Sequence, residues 1–169
     1  MIAAKIIKQK SKRYCFLFLS DGILPPGYLA FMLYCRKMND CEAAIHPRAL
    51  QGILLFNQGK YFEAHEELEA AWKEETGRIR RLYQGILEAA VTYLHITRGN
   101  YAGAVKVYGR SMKWLKDWPE TCRGIEVGQL RKDLEAAILE VQQLGETGLS
   151  RFDRSLYKPV IWKEVINGR

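Results

Sequence analysis

The chain has 169 residues, 48% hydrophobic and 27% charged, a balance that suits one folded domain and excludes wholesale disorder. No run of about 18 apolar residues is free of a charge or a Pro-Pro break, so no membrane association is expected. The net charge of +7 divides unevenly: residues 1–37 hold seven Lys or Arg against Asp21 alone, while residues 38–169 hold 19 basic and 18 acidic side chains. A nucleic-acid surface needs clustered cations that release counterions from phosphates, and the body has no such excess. Its one tight basic group is Arg78, Arg80 and Arg81, and no nucleic-acid partner is expected.

The chain opens on Lys5 to Arg13 and then Tyr14 to Leu19, which imitates the charged and apolar parts of a signal peptide. Six apolar residues before Ser20-Asp21-Gly22 and Pro25-Pro26-Gly27 are too few, since a signal needs about 7–15. Residues 1–37 read as a spurious upstream translation or a disordered extension, with synthesis starting at Met38 and residues 38–169 forming one all-α domain. The cysteines, Cys15, Cys35, Cys41 and Cys122, show no C-x-x-C, and three fall in the first 41 residues. That spacing predicts a reduced, cytoplasmic protein with no disulfide framework and no zinc ribbon. Cys122 could serve as a nucleophile, but an incidental thiol is the plainer reading.

From Pro47 onward apolar residues recur at helical spacing, with no sustained alternation of period two. Helix one runs from Pro47 to the stop at Asn57-Gln58-Gly59, and helix two from Tyr61 to Glu75, closed by Thr76-Gly77. Helix three, Ile79 to Arg98, is apolar over most of its circumference and should be the most buried. Gly99 stops it, Asn100 is a natural N-cap, and helix four runs from Tyr101 to Trp118 before Pro119. Val127, Leu130, Leu134, Ile138, Val141 and Leu144 form the stripe of helix five, which ends at Gly145. Residues 146–169 form an irregular tail whose Phe152, Leu156, Tyr157, Ile161 and Trp162 should pack back on the helices.

Gly59-Lys60-Tyr61-x-x-Ala64 recurs as Gly99-Asn100-Tyr101-x-x-Ala104, 40 residues on, and Leu68 answers Tyr108. The pattern resembles a tetratricopeptide hairpin, with Gly at the turn and Ala where helices approach closely. Any antiparallel helical hairpin favours those residues too. Two hairpins fall short of the three or so that a solenoid needs, so the fifth helix must close the core. The expected fold is all-α: a five-helix bundle of two antiparallel hairpins, a closing helix and the tail.

One polar cluster interrupts this pattern. At roughly 100° per residue, Tyr61, Phe62, Leu68 and Trp72 surround His65 on helix two; Glu69 falls inside the same apolar arc and Glu66 at its edge. On helix three, Arg81, Gln84, Glu88, Thr92 and His95 make a polar stripe. If the helices are neighbours, His65, Glu66, Glu69, Gln84, Glu88 and His95 can face each other. Buried carboxylates would have raised pKa values and could act as acid or base. His65, Glu69 and His95 could also ligate a metal in the manner of helical carboxylate sites, although no metal or other cofactor is expected. His65-Glu66-x-x-Glu69 lacks the second His of the zincin motif. The plainer alternative is a buried hydrogen-bond network, because an isolated buried carboxylate is costly. A stripe that simply faces water is a third.

The run from Phe56-Asn57-Gln58-Gly59 through Ala64-His65-Glu66-Glu67-Leu68 to Trp72 resembles the signature of the prokaryotic family known as domain of unknown function 309. Tyr83-Gln84-Gly85-Ile86 and His95-Ile96-Thr97-Arg98-Gly99-Asn100-Tyr101-Ala102-Gly103-Ala104 resemble its next two motifs, so the likeness covers roughly Leu50 to Leu115. Glu88 departs from it, standing where many members would carry Gln. The resemblance implies a small all-α fold without an established activity, and a domain that starts just before the first motif. No Gly-rich phosphate loop, G-x-S-x-G or Cys/His nucleophile pair adds a reaction. The leading expectation is a cytosolic, non-catalytic interaction or scaffold module with a protein or small-molecule partner. The alternative is an enzyme, or a protein binding a small ligand or metal, using the His/Glu/Gln cluster.

Overall fold

The structure, a computed structural model, describes residues 40–164. The expectations placed on residues 1–37, including a start at Met38, lie outside the described residues. Behind a helical stretch at 40–42 come five helices: α1 (Pro47–Asn57), α2 (Tyr61–Glu74), α3 (Arg80–Thr97), α4 (Tyr101–Leu115) and α5 (Val127–Gly148). Single 3-10 turns follow at Leu149–Arg151 and Arg154–Leu156. Among the described residues there is no β-strand, only isolated bridges from Ile125 to Cys122 and to Trp162.

Each helix packs on the next in sequence, through α1–α2, α2–α3, α3–α4 and α4–α5. The turns at Gly59 and Gly99 are the same device. Each Gly takes a left-handed φ, +76° and +67°, which costs an L residue strain. The following amide reaches back five residues, Lys60 to Leu55 O at 3.0 Å and Asn100 to His95 O at 2.9 Å, as in a Schellman stop. Asn100 also caps α4, its side chain accepting from Gly103 N at 2.8 Å. Ala64 and Ala104, the small residues of the repeated motif, are fully buried.

α3 buries ten residues, among them Leu82, Tyr83, Ile86, Tyr93 and Ile96. It approaches α4 tightly at Gly85, where an added Cβ would lie 2.6 Å from Leu115 Cδ2. There the buried Ser111 hydroxyl donates to Gly85 O at 2.8 Å. The α5 stripe is buried from Val127 to Val141, and Gly145, at φ +66°, breaks the helix where the sequence placed its end. Most of the described tail packs back as expected, but Ile161 is exposed. Asn57 donates to Val160 O at 3.0 Å and accepts from Val160 N at 2.7 Å, and Tyr157 enters an aromatic cluster with Tyr61, Tyr93 and Phe152.

Three expectations need correction. α2 stops at Glu74 because Glu75 turns extended, and its carboxylate pairs with Arg123 Nη1 at 2.9 Å. α4 stops at Leu115, three residues early, where Arg131 of α5 takes the carbonyls of Leu115 and Trp118 at 3.0 Å each. The cysteine reading fails more seriously. Cys41 and Cys122 are joined by a disulfide across 81 residues, and Cys122 is buried. Spacing along the chain hid a contact made by folding. Disulfides persist mainly in oxidising compartments, so these cysteines do not mark a reduced, cytosolic protein. No helix of the described residues is long and apolar enough to cross a membrane.

Candidate functional site

α2, α3 and α4 bring part of the expected polar cluster together. His65 is half-buried on α2, its ring stacked on Phe62 at 6.4 Å, and its Nδ1 is buried with no hydrogen-bond partner among the described residues. Glu88 is the one buried acid of the set. Burial pushes its carboxyl above the ordinary 4.5, and Arg110, His65 and Trp114 pull it back. The strongest restraint comes from α4, where Arg110 Nε stands 2.8 Å from Glu88 Oε2. Sequence reasoning missed both α4 partners, since they lie more than 20 residues beyond Glu88 and look like ordinary solvated residues.

The other members disperse. Glu69 does not stay in the apolar arc. Its side chain is 41% exposed and pairs with Lys73 at 2.9 Å, a contact that holds the carboxyl below its ordinary value. A flexible three-bond stem lets a charge leave a face that its Cα cannot leave. Glu66 is exposed and Gln84 half-buried. Thr92 is buried, with its hydroxyl spent on the Glu88 carbonyl of its own helix at 2.8 Å. His95 lies two turns beyond Glu88, about 10 Å along α3. It packs instead on α4, where a Cβ at Gly103 would come within 2.6 Å of its Nδ1. Burial, then Arg98 and Arg110, hold the His95 pKa below 6.5, so the ring stays neutral near pH 7. Among the described residues no three His, Cys, Asp or Glu side chains converge on a point where a cation could sit.

Two further groups lie outside the expected cluster: Arg123, unread in the sequence, and the arginines at the start of α3, read there only as a basic group. Arg123 is a half-buried hub with the left-handed φ of +50°, rare for a residue with a side chain. It donates to Glu75 at 2.9 Å, to Tyr83 Oη at 3.1 Å and to the Asp40 carbonyl at 3.0 Å, while its own carbonyl accepts from Trp162 Nε1 at 3.2 Å. At the start of α3, the three arginines part company. Arg80 lies over the Trp72 ring at 4.8 Å and donates to its carbonyl. Arg78 and Arg81 turn instead toward the last turn of α4, where they line a cleft of about 240 Å³ with Lys113, Lys116 and Trp114.

Comparison with known proteins bears on the same helices. Residues 49–107 match the family described as "Domain of unknown function (DUF309)". The chain is 30% identical over 127 residues to an "Uncharacterized protein" of Aquifex aeolicus (strain VF5), covering 67% of this chain and 37% of that protein. It is 40% identical over 57 residues to "Uncharacterized protein YpuF" of Bacillus subtilis (strain 168), 33% of each chain. The chain thus spans about a third of the length of the curated relatives it matches.

Proposed function

We propose that this chain, a member of the DUF309 family through residues 49–107, is a non-catalytic interaction module. The observation that carries the reading is the Arg110–Glu88 contact of 2.8 Å. The guanidinium commits this carboxyl to a partner on the neighbouring helix, even though burial leaves its pKa raised. Its neighbours are equally committed, Glu69 to Lys73 and His95 to the crossing with α4. The Glu88–Arg110 pair therefore serves as a structural tie between α3 and α4 rather than as a reaction centre.

The architecture that fits this role is two tetratricopeptide-like hairpins, α1–α2 and α3–α4, closed by α5. The identical Gly59 and Gly99 stops, the 40-residue offset and the two buried alanines support it.

The test is to incubate excess protein with a small-molecule extract and follow every compound by mass spectrometry. The expected result is retention without time-dependent loss of any compound. Steady consumption of one compound, abolished by both His65→Leu and Glu88→Gln, would overturn the proposal and favour the enzyme reading.

A further inference from the structure

The cleft between the first turn of α3 and the last turn of α4 gathers positive charge around one concavity. Arg78, Arg81, Lys113 and Lys116 line it, with Asp117 the one carboxylate among its walls. None of the four cations is ion-paired with another described residue. Arg48, Arg110, Arg123 and Arg131, by contrast, each hold a Glu carboxylate. Residues 38–169 carry a net charge of only +1, so four cations around one concavity are a local excess, and clustered like charges repel until an anion joins them.

Two of the cations, Arg78 and Lys113, are held against aromatic rings before any ligand arrives. Arg78 lies over the Trp118 ring, 4.6 Å from its centroid, and donates to the Asp117 carbonyl at 3.3 Å. Trp118 is itself buried, and Arg131 fixes its turn from below through the carbonyls of Leu115 and Trp118. Lys113 lies 5.3 Å from the Trp114 ring, whose half-buried indole forms a second wall. Ordered side chains lower the entropy lost on binding.

We propose that this cleft binds a small phosphate ester, its phosphate held by Arg78, Arg81, Lys113 and Lys116 and its organic part against Trp114. The inference rests on the binding-module reading and names the ligand class. A phosphate dianion can take several cations and suits the planar arginine fork. About 240 Å³ lies below the roughly 300–1,000 Å³ of a drug-sized pocket, which favours a single small molecule. A nucleic acid would need a basic track running beyond one cleft.

The experiment is calorimetric titration of the full 169-residue protein with AMP, ribose 5-phosphate, adenosine, a glutamate-rich peptide and a single-stranded 12-nucleotide DNA. Tryptophan fluorescence follows the same titrations. The expected result is one saturable site for both phosphate esters, weaker at 150 mM salt by roughly tenfold, as screening requires. Arg81→Glu and Lys113→Glu, both at exposed positions, should each weaken it at least tenfold without shifting the melting temperature. Lys132→Glu, on the exposed side of α5, should leave it unchanged.

No saturable binding of either ester, adenosine binding as tightly as AMP, or indifference to both reversals would overturn the proposal. So would the peptide or the DNA binding tenfold tighter than both esters. Turnover of a bound ester would sink the non-catalytic reading and leave the site standing, so the two failures are distinguishable.

Discussion

Glu88 and His95 sit on one helix and are displaced in opposite senses, each with a consequence for stability. Burial raises Glu88 above 4.5, only partly offset by Arg110, so the folded protein holds a proton there that the unfolded chain has released. Stability then falls as pH climbs through the interval above 4.5. Thermal melts from pH 4 to 7 should show Glu88→Gln gaining on the wild type as pH rises across that interval. His95 behaves as the mirror case: burial first, then Arg98 and Arg110, depress it below 6.5. Its contribution is complete above that value and is lost as pH falls through it, and His95→Gln should remove this acid-side loss. Asn57 carries a third prediction at this scale. Its amide both donates to and accepts from the Val160 backbone, so Asn57→Ala leaves buried tail groups unpaired and should cost about 1–3 kcal/mol in denaturant melts.

Between elements, the crossings decide what the helices tolerate. Gly52 on α1 faces Leu68 and Ala64 of α2, and Gly85 on α3 faces Leu115 of α4. A methyl at Gly85 would stand 2.6 Å and 2.7 Å from Leu115 Cδ2 and Cγ, inside any permitted contact. Leu115 is itself fully buried and has nowhere to retreat. Gly85→Ala should therefore destabilise by roughly 1–3 kcal/mol, although alanine is the better helix former by about 1 kcal/mol. Ala64→Leu should cost a similar amount for the same reason, and a harmless outcome would refute the α1–α2 crossing. Gly109, also on α4, has open space where its Cβ would go; there alanine should stabilise by a few tenths to about 1 kcal/mol.

Across the whole molecule, the connection from α4 to α5 ties the ends of the described chain together. Cys122 bonds to Cys41, Arg123 N donates to Cys41 O at 2.8 Å, and Gly124 O accepts from Lys163 N at 2.9 Å. Gly124 is obligatory, since a Cβ there would collide with the Lys163 carbonyl. A cross-link spanning 81 residues restricts the unfolded chain strongly, by about 4 kcal/mol on a loop-entropy estimate. Cys41→Ser with Cys122→Ser should lower stability by up to that amount, read as a shift of the denaturation midpoint relative to the oxidised protein. Reduction of the wild type should reproduce the shift. A midpoint unchanged in both cases would mean that Arg123 alone holds this corner.

The sequence by itself determined the helices and most of their limits, because helix starts, stops and buried faces are local matters. Pro47, the Gly59 and Gly99 stops, the Asn100 cap and the α5 stripe all act within a turn or two of the residues that encode them. The DUF309 resemblance was legible for the same reason, in ordered runs of neighbouring residues. The sequence also singled out Glu88 as a polar residue on a buried face, but not its partner, for Arg110 belongs to another helix. Only tertiary structure decided the rest. It sent Glu69 to solvent, packed His95 against Gly103, joined Cys41 to Cys122, and set Arg78 and Arg81 opposite Lys113 and Lys116. The physical reason is common to all four. Charge pairs, disulfides and clefts depend on distances through space, and a helix packed on its neighbour brings together residues that chain spacing leaves 35 or 81 positions apart.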